Sequence, residues 1–350
     1  MTFSVRSELR EEVRNILGRM DADDLQELLP AIAGLLNRHG FEHWWTRPQV
    51  YRAFEQEGLH ITRNHFYSPL PDTALAARHL ARQVPLTAAS HMLSASAFAD
   101  TWGDIRSFAH ELADLPRESD NGFHWDNNMF PNLDAIIYYC MLRRNRPRRI
   151  IEIGSGFSTH IARRALERNG MGRLHVVEPY PTAKLRELLG RLDEMYEAKI
   201  QDVPSDLFAQ LEDGDVLFVD SSHVCKTGSD LNHILFEILP ALRASVLMHF
   251  HDIFLPHEYP ADWVVGRGYG WNEQYLLLAF LMGNAAVSPL VGSALMAHSH
   301  QAMLLEDLAP IGHGAYGGAS LWLRVDARTT SAGFAAATGA ARGALETNDR

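Results

Sequence analysis

The sequence has few cysteines and no long apolar run, and each absence removes a class of protein. Only Cys140 and Cys225 occur, without CxxC spacing, so no disulfide framework is expected and reduced thiols suit the cytoplasm. The apolar runs are too short to span a bilayer, and the N-terminus from Met1 to Glu8 leads into a charged amphipathic pattern instead of a secretory signal. We therefore expect a soluble, cytoplasmic protein that does not bind a membrane.

Basic residues are outnumbered by acidic ones, with 32 Lys and Arg against 43 Asp and Glu and a formal net charge of -11. This charge opposes attraction to phosphate backbones, so nucleic acid is not expected as a partner. A length of 350 residues exceeds what one average domain needs, which predicts a catalytic domain with an appended segment. The sequence leaves the possibility of a homo-oligomer open.

Three segments differ in their residue patterns. Residues 1–118 carry leucines at helical spacing without strand alternation, which predicts a helical cap that forms a lid over the substrate. Turn-forming residues follow at 116–122, and residues 119–326 then alternate strand-like and helix-like segments. Residues 327–350 are rich in Ala, Gly and Thr without an apolar face, which predicts a flexible tail.

The alternation within 119–326 predicts an α/β fold, with a doubly wound, Rossmann-like and mostly parallel sheet of seven strands. The five parallel strands are predicted near 149–153, 173–178, 197–201, 215–220 and 245–251. A strand near 320–325 and a partner within 286–297 would add an antiparallel hairpin at one edge. Helices are predicted near 132–144, 158–168, 182–191, 205–211, 229–238 and 273–282.

A glycine turn follows the first predicted strand and precedes a helix. Gly154 and Gly156 allow close backbone approach to a ligand, at the sheet edge where open α/β folds bind their ligands. Glu178 ends the next strand, where a carboxylate can accept hydrogen bonds from ribose hydroxyls. Dinucleotide binding would require a third glycine where Thr159 stands, which counts against NAD. The structural alternative is a tight turn beside a surface glutamate.

Two motifs built on this turn carry a family resemblance. E-I-G-S-G-F-S-T at 152–159 and V-E-P-Y-P at 177–181 resemble a bacterial group of small-molecule O-methyltransferases within the class I S-adenosylmethionine-dependent methyltransferases. The similarity covers roughly residues 122–283 and implies S-adenosylmethionine as the cofactor. The cofactor-binding residues implied by the resemblance are Glu152, Gly154, Ser155, Gly156, Glu178, Asp202, Asp220 and Asn128.

Within that implied site, Glu152 would face the methionine end of the cofactor and Asp202 would meet the adenine amine. By the same analogy Trp125, Asn127 and Asn128 lie in a segment that often folds over the cofactor. For Trp125 the alternative is an anchor that packs the cap onto the sheet, because aromatic residues dominate such interfaces.

Two carboxylates follow apolar strands farther along the chain. Asp220 closes the apolar run 216–219 and Asp252 closes 246–251. A buried charge is costly, so both side chains are expected to open into the cleft at the carboxyl edge of the sheet and to face one another. There they could hold a divalent ion such as Mg²⁺, which would orient a hydroxyl group and lower its pKa. The alternative is a pair of hydrogen-bonded carboxylates without metal.

The D-x-x-H spacing of Asp220 and His223 resembles metal-dependent sugar and macrolide O-methyltransferases, which implies a metal ligand and a catalytic base respectively. Asp252 is followed by Ile253, where catechol-type enzymes often have another oxygen ligand. A loop histidine hydrated by water is the alternative for His223, and a metal pair formed by His249 and His251 is less favoured than packing.

A later segment adds candidates at the start of the last predicted helix. Asn272 is a plausible cap, and Asn272 and Glu273 are candidates to line the substrate pocket, whereas a structural role is favoured for Gln274.

The sequence thus predicts methyl transfer from S-adenosylmethionine to an oxygen of a small, secondary-metabolite-like molecule, with His223 and Asp252 as the catalytic residues. Because the sulfonium is already activated, the protein must align the acceptor, exclude water and remove a proton. One alternative is attack at another carbon of the sulfonium, including a cyclisation that releases methylthioadenosine. The other is a cofactor-binding assembly protein without turnover.

Overall fold

The computed structural model describes residues 11–12, 15–16, 18–40, 48–62, 64–120, 122–189 and 193–326. Contacts divide the chain into two compact units, Met1–Asp72 and Thr73–Arg350. Residues 73–118 therefore belong to the unit that contains the sheet, and a substrate lid formed by residues 1–118 stays a prediction. The flexible tail predicted for 327–350 lies outside the described residues.

The first unit contains the α-helices Ala22–Leu35 and Pro48–Gln56 and a short π-helix, Leu36–Gly40. The first helix begins at Asp21, whose carboxylate accepts hydrogen bonds from the backbone N–H groups of Asp23 and Asp24. These bonds satisfy donors that have no partner inside the helix, which explains why the helix starts there.

The second unit is built on one seven-stranded sheet. Its strands are β1 Arg149–Ile153, β2 Arg173–Val177, β3 Glu194–Tyr196, β4 Val216–Val219, β5 Ser245–His251, β6 Val287–Gly292 and β7 Ser320–Asp326. They follow the order β3-β2-β1-β4-β5-β7-β6, with β1 to β5 parallel and β7 antiparallel to both neighbours. The predicted α/β fold, with a mostly parallel seven-stranded sheet and an antiparallel hairpin at the edge, is confirmed.

The third strand is not where the sequence predicted it. The chain forms β3 at Glu194–Tyr196 and a 3-10 turn at Ile200–Asp202, instead of a strand near 197–201. The buried side chain of Ile200 gave this stretch an apolar centre, but the residue lies in the turn. β3 pairs only with β2 over three residues, and such a short edge strand has too few residues to show alternation.

The six helices predicted between residues 132 and 282 are present within a few residues of their predicted positions, whereas the helices Ser293–Ser299 and Gln301–Asp307 were not predicted. The second unit's α-helices are Thr73–Leu80, Thr87–Met92, Ala95–Ile105, Asn132–Asn145, Phe157–Asn169, Ala183–Leu188, Asp206–Ala209, Asp230–His233, Leu239–Ala241, Glu273–Leu281, Ser293–Ser299 and Gln301–Asp307. Its other helical turns are Arg106–Leu112, Ile234–Ile238 and Asp262–Gly266. Across the described ranges, no helix combines the length and the apolar character needed to cross a membrane.

The order of the strands indicates where a ligand site is expected. β1 lies between β2 and β4. The next two strands of the chain, β2 and β3, lie on one side of β1, and the strands from β4 onward lie on its other side. The carboxyl ends of β1 and β4 flank this switch point, where open α/β sheets bind their ligands. All four residues of β4 are buried, which is typical of a central parallel strand.

Candidate functional site

The glycine turn after β1 is packed directly against the end of β4. Gly154 has a φ of +87°, and a Cβ at this position would lie 1.8 Å from the backbone carbonyl oxygen of Asp220. The Gly154 N–H donates to the carbonyl of Val177 at 3.0 Å, and the Asp220 N–H donates to the carbonyl of Ile153 at 2.9 Å. No other residue fits at Gly154 unless the end of β4 moves.

Glu178, which follows β2, faces this turn. Its Oε2 accepts a hydrogen bond from the Ser155 hydroxyl at 3.1 Å, and its Oε1 accepts from the backbone N–H of Tyr180 at 2.9 Å. The carboxylate is half-buried and lines a cavity together with Gly154 and Asp220. The predicted contact of this carboxylate with a ribose diol stays a prediction.

Two cavities adjoin the carboxyl edge of the sheet, and Asp220 lines both. One has a volume of about 490 Å³ and extends from Glu178 to the segment 199–201. The other has a volume of about 330 Å³ and lies between the segment 119–130 and the residues Ser155 to Ser158. Asp220 therefore stands where the two spaces meet.

Glu152 is completely buried and is not among the residues that line these cavities. It accepts hydrogen bonds from the hydroxyls of Tyr138 at 2.8 Å and Thr159 at 2.7 Å. Burial raises the pKa of its carboxyl to about 7, although the two hydroxyls oppose the shift. The structure thus places Glu152 as a link between β1 and two helices, and its contact with the cofactor stays a prediction.

Two other predicted cofactor residues have exposed side chains. Asp202 lies at the end of the 3-10 turn after β3, where its neighbour Gln201 lines the larger cavity instead. Asn128 is also exposed, whereas Met129 and Phe130 line the smaller cavity. The structure does not bring Asp202 or Asn128 into the lining of either cavity.

The segment before these residues is held by packing and by a polar turn. The ring of Trp125 is buried and makes edge contacts with Phe123 and His313, at centroid distances of 5.2 and 4.9 Å. The Oδ1 of Asn127 accepts hydrogen bonds from the N–H groups of Met129 and Phe130. Asn127 therefore fixes the backbone that presents these two residues to the smaller cavity.

Asp220, His223 and Asp252 converge at the ends of β4 and β5. The Nε2 of His223 lies 3.4 Å from Oδ1 of Asp220 and 3.4 Å from Oδ2 of Asp252. His223 is buried, and the backbones of His223 and Asp252 are left-handed, with φ values of 59° and 56°. The structure thus brings together both predicted catalytic residues and both predicted metal ligands, and we call these three residues the charged cluster.

Glu273 was predicted only as a candidate to line the substrate pocket, but its carboxylate makes the shortest side-chain contact with His223. Its Oε2 lies 2.7 Å from Nδ1 of His223, and its side chain is buried at the start of the helix Glu273–Leu281. The two residues are 50 positions apart in sequence. The predicted helix start at Asn272 and Glu273 was the one sequence feature that drew attention to Glu273, and a helix start does not indicate a contact with the loop after β4.

The buried carboxylates set the charge of the cluster. Burial lowers the pKa of His223, but the carboxylates of Asp220 and Glu273 outweigh it and raise the pKa to about 10. Burial raises the pKa of Asp252 to about 6, against the opposing effects of His251 and His223. At neutral pH and without a bound ion, His223 is therefore an imidazolium and Asp252 is mostly ionised.

The two histidines of β5 differ in their surroundings. His249 stacks on Phe218 at 4.2 Å and meets the edge of Trp322 at 5.1 Å, and burial holds its pKa well below the usual range. The Nε2 of His251 lies 3.7 Å from Oδ1 of Asp252. His249 is thus a core residue, while His251 adjoins the charged cluster.

The charged cluster has a donor set that fits a divalent ion. Asp220, His223 and Asp252 each offer one ligand atom, and these atoms all lie within 4.8 Å of one another. Carboxylate oxygens suit Mg²⁺ or Mn²⁺, and an imidazole nitrogen suits the transition metals. The two predicted ligands are in this set, and His223 is the third member.

Residues 151–253 match a family described as a methyltransferase domain. An uncharacterized protein from Archaeoglobus fulgidus is 29% identical over 160 residues, which cover 43% of this chain and 72% of that protein.

Two solved structures are similar in part. A putative O-methyltransferase from Klebsiella pneumoniae is 14% identical, covering 72% of this chain and 96% of that chain with a TM-score of 0.34. The second is the O-methyltransferase TomG from Streptomyces achromogenes, which is involved in tomaymycin synthesis and was solved in complex with SAM. It is 18% identical, and the match covers 67% of this chain and 91% of that chain with a TM-score of 0.35.

Proposed function

From the premise that this chain is a class I S-adenosylmethionine-dependent methyltransferase, we propose that it methylates an oxygen of a small-molecule acceptor. The premise agrees with the methyltransferase domain at residues 151–253 and with the sheet order. One observation carries the proposal: Asp220 lines both cavities and also belongs to the charged cluster. A methyl donor bound beside Asp220 would therefore lie next to the groups that can handle a proton.

The cofactor would occupy both cavities. The Glu178 carboxylate would accept hydrogen bonds from the ribose hydroxyls, and the segment 199–201 would lie beside the adenine. The methionine end would lie near Gly156 and Asp220 in the smaller cavity. Gln201 is better placed than Asp202 to meet the adenine amine, because only Gln201 lines the cavity.

The reaction requires one proton to leave the acceptor hydroxyl as its oxygen attacks the methyl carbon. The new oxygen–carbon bond forms while the carbon–sulfur bond breaks, and S-adenosylhomocysteine is released. An imidazolium has no free lone pair, so with no ion bound the ionised Asp252 is better suited than His223 to accept the proton near pH 7. The assignment of His223 as the base stays a prediction.

Asp220, His223 and Asp252 would hold the divalent ion, with Mg²⁺ as the candidate. When bound, such an ion orients an acceptor hydroxyl and lowers its pKa. Exhaustive chelation should then abolish turnover and leave the affinity for S-adenosylmethionine nearly unchanged. Full activity after chelation would favour the metal-free carboxylates.

We also propose that the protein is cytoplasmic and that its acceptor is a small molecule of secondary-metabolite type. The net charge of -11 disfavours nucleic acid as the acceptor, and both cysteines are free thiols, which suits a reducing compartment.

The test is incubation of the protein with S-adenosylmethionine and a panel of hydroxylated metabolites, followed by mass spectrometry. S-adenosylhomocysteine together with a methylated acceptor is the expected result. Methylthioadenosine would assign the chemistry to another carbon of the sulfonium. Tight cofactor binding without either product across the panel would favour a binding protein over an enzyme.

A further inference from the structure

The start of the helix Glu273–Leu281 holds the backbone of the loop that carries His223. The N–H groups of Asn272 and Glu273 donate to the carbonyl oxygen of His223 at 3.0 and 3.2 Å. The side-chain oxygen of Asn272 accepts from the N–H of Cys225 at 2.6 Å. The loop is thus fixed at His223 itself and two residues beyond it.

The side chain of Glu273 holds the imidazole from the same helix. One carboxylate oxygen lies 2.7 Å from Nδ1 of His223, and the other, Oε1, has no hydrogen-bond partner among the described residues. A buried carboxylate with an unbonded oxygen is costly, and a neutral side chain would fill the space without that cost. The contact with His223 is therefore the reason for a charge at this position.

The contact also decides the direction of the second ring nitrogen. Because Nδ1 is bonded to Glu273, Nε2 is left to face Asp220 and Asp252, at 3.4 Å from each carboxylate. The ring of Trp271 packs against the imidazole with centroids 4.3 Å apart and restricts its rotation. A carboxylate behind a functional histidine commonly fixes its tautomer and orientation in this way.

We infer that Glu273 is a positioning residue, which keeps a proton on Nδ1 of His223 and holds the ring in the rotamer that directs Nε2 into the space between Asp220 and Asp252. The inference rests on the proposed function, which places the acceptor oxygen beside this cluster. Glu273 lines neither cofactor cavity. Its loss should therefore lower kcat and leave KM for S-adenosylmethionine unchanged.

The kinetic test uses two substitutions and one matched control. Glu273→Gln keeps the side-chain volume and an acceptor oxygen but removes the charge, and Glu273→Ala removes the contact. Loss of such a partner typically costs about 10–100-fold in activity, so we expect kcat to fall in that range, more for Ala than for Gln. KM for S-adenosylmethionine should stay within about twofold of wild type, because the cofactor contacts are intact.

Glu111→Gln is the control, because Glu111 is another mostly buried carboxylate with structural partners. It accepts hydrogen bonds from the Tyr139 hydroxyl at 2.5 Å and from Nε of Arg143 at 2.9 Å, and it lines neither cofactor cavity. This variant should lower the melting temperature without lowering kcat. The pair of variants separates positioning from a general loss of stability.

An NMR measurement tests the contact without turnover. In protein with ¹⁵N-labelled histidine, the Nδ1–H proton bonded to Glu273 should give a downfield resonance that disappears in His223→Gln. The resonance should persist in Glu111→Gln, shift in Glu273→Gln and vanish in Glu273→Ala. If no acceptor is methylated by the wild type, the proposed function fails while this measurement still decides the role of Glu273.

Three results would overturn the inference. One is a wild-type kcat in either folded Glu273 variant, and another is an unchanged Nδ1–H resonance in Glu273→Gln. If Glu273→Ala does not fold, the Gln variant alone decides, since it keeps the buried volume. Equal losses of kcat in the Glu273 and Glu111 variants would assign Glu273 to stability only.

Discussion

The two ends of the site are built in different ways. At the end proposed to bind the cofactor, which we call the cofactor end, Gly154 and Ser155 follow β1 and Glu178 follows β2, so one backbone turn and one adjacent strand would supply the groups. At the chemical end, the charged cluster takes residues from the loop after β4 and the end of β5, and a distant helix holds it in place. The cofactor end should therefore depend on backbone geometry, and the chemical end on side-chain charge.

The largest effect is expected at Gly154, where the cofactor end contacts β4. Gly154→Ala would place a Cβ 1.8 Å from the Asp220 carbonyl oxygen and should destabilise the protein by more than about 4 kcal/mol. Denaturant unfolding measures this loss. Gly156→Ala is the matched control, because its Cβ would meet nothing within 4 Å and should change the unfolding free energy by less than about 1 kcal/mol.

The next effect tests the chemical end. His223→Ala and Asp252→Asn should each lower the single-turnover rate by about 10²–10⁴-fold, with cofactor affinity nearly unchanged. If Asp252 accepts the proton in metal-free enzyme, the wild-type rate should rise with pH through about 6, where half of this carboxyl is ionised, and level off only at higher pH. Asp252→Asn should lack this rise. A His223→Ala enzyme with a wild-type rate at every pH would remove His223 from the chemistry.

A smaller effect is expected from the carboxylate of the cofactor end. Glu178→Ala should weaken S-adenosylmethionine binding by about 1.5–3 kcal/mol, the scale of a hydrogen bond to a charged group. Calorimetry on the folded variant measures this change. Unchanged affinity would show that Glu178 does not contact the cofactor. The proposed difference between the cofactor end and the chemical end would then lose its support.

The smallest effect concerns Glu152, beneath the glycine turn. Its pKa is raised from 4.5 to about 7 in the folded protein, so its contribution to stability is complete below about pH 4.5 and is lost as pH rises through 7. Glu152→Gln cannot ionise, so its stability relative to wild type should increase by about 2 kcal/mol between about pH 5 and 7. Thermal unfolding at both pH values checks this, and a constant difference would contradict the raised pKa.

The parts of the molecule that could be predicted are those with a local signal. β4 is a continuous apolar run between turns, β5 is an apolar run interrupted by His249 and His251, and Gly154 to Gly156 lie within one turn. β3 has only three residues, so its position was missed, and the residue after it that lines the larger cavity is Gln201 instead of the predicted Asp202.

The parts that could not be predicted depend on tertiary contacts. Glu273 meets His223 across 50 positions, and neither residue carries a pattern that names the other. Glu152 was placed at the correct strand end, but its hydrogen bonds to Tyr138 and Thr159 required two helices to be packed first. Spacing alone indicates which sheet edge a residue reaches, and not which neighbour it contacts there.

The left-handed backbones of His223 and Asp252 set a limit on how this protein could be made more robust. Glycine adopts that conformation without the cost that side-chain-bearing residues pay, which is about 1 kcal/mol. A laboratory selection for heat resistance alone would thus favour glycine at Asp252, where burial also disfavours the ionised carboxyl. It would not favour glycine at His223, because the buried carboxylate of Glu273 would lose its partner. The survivors would keep their shape and lose a reactive group, so thermal stability and activity must be screened together in this scaffold.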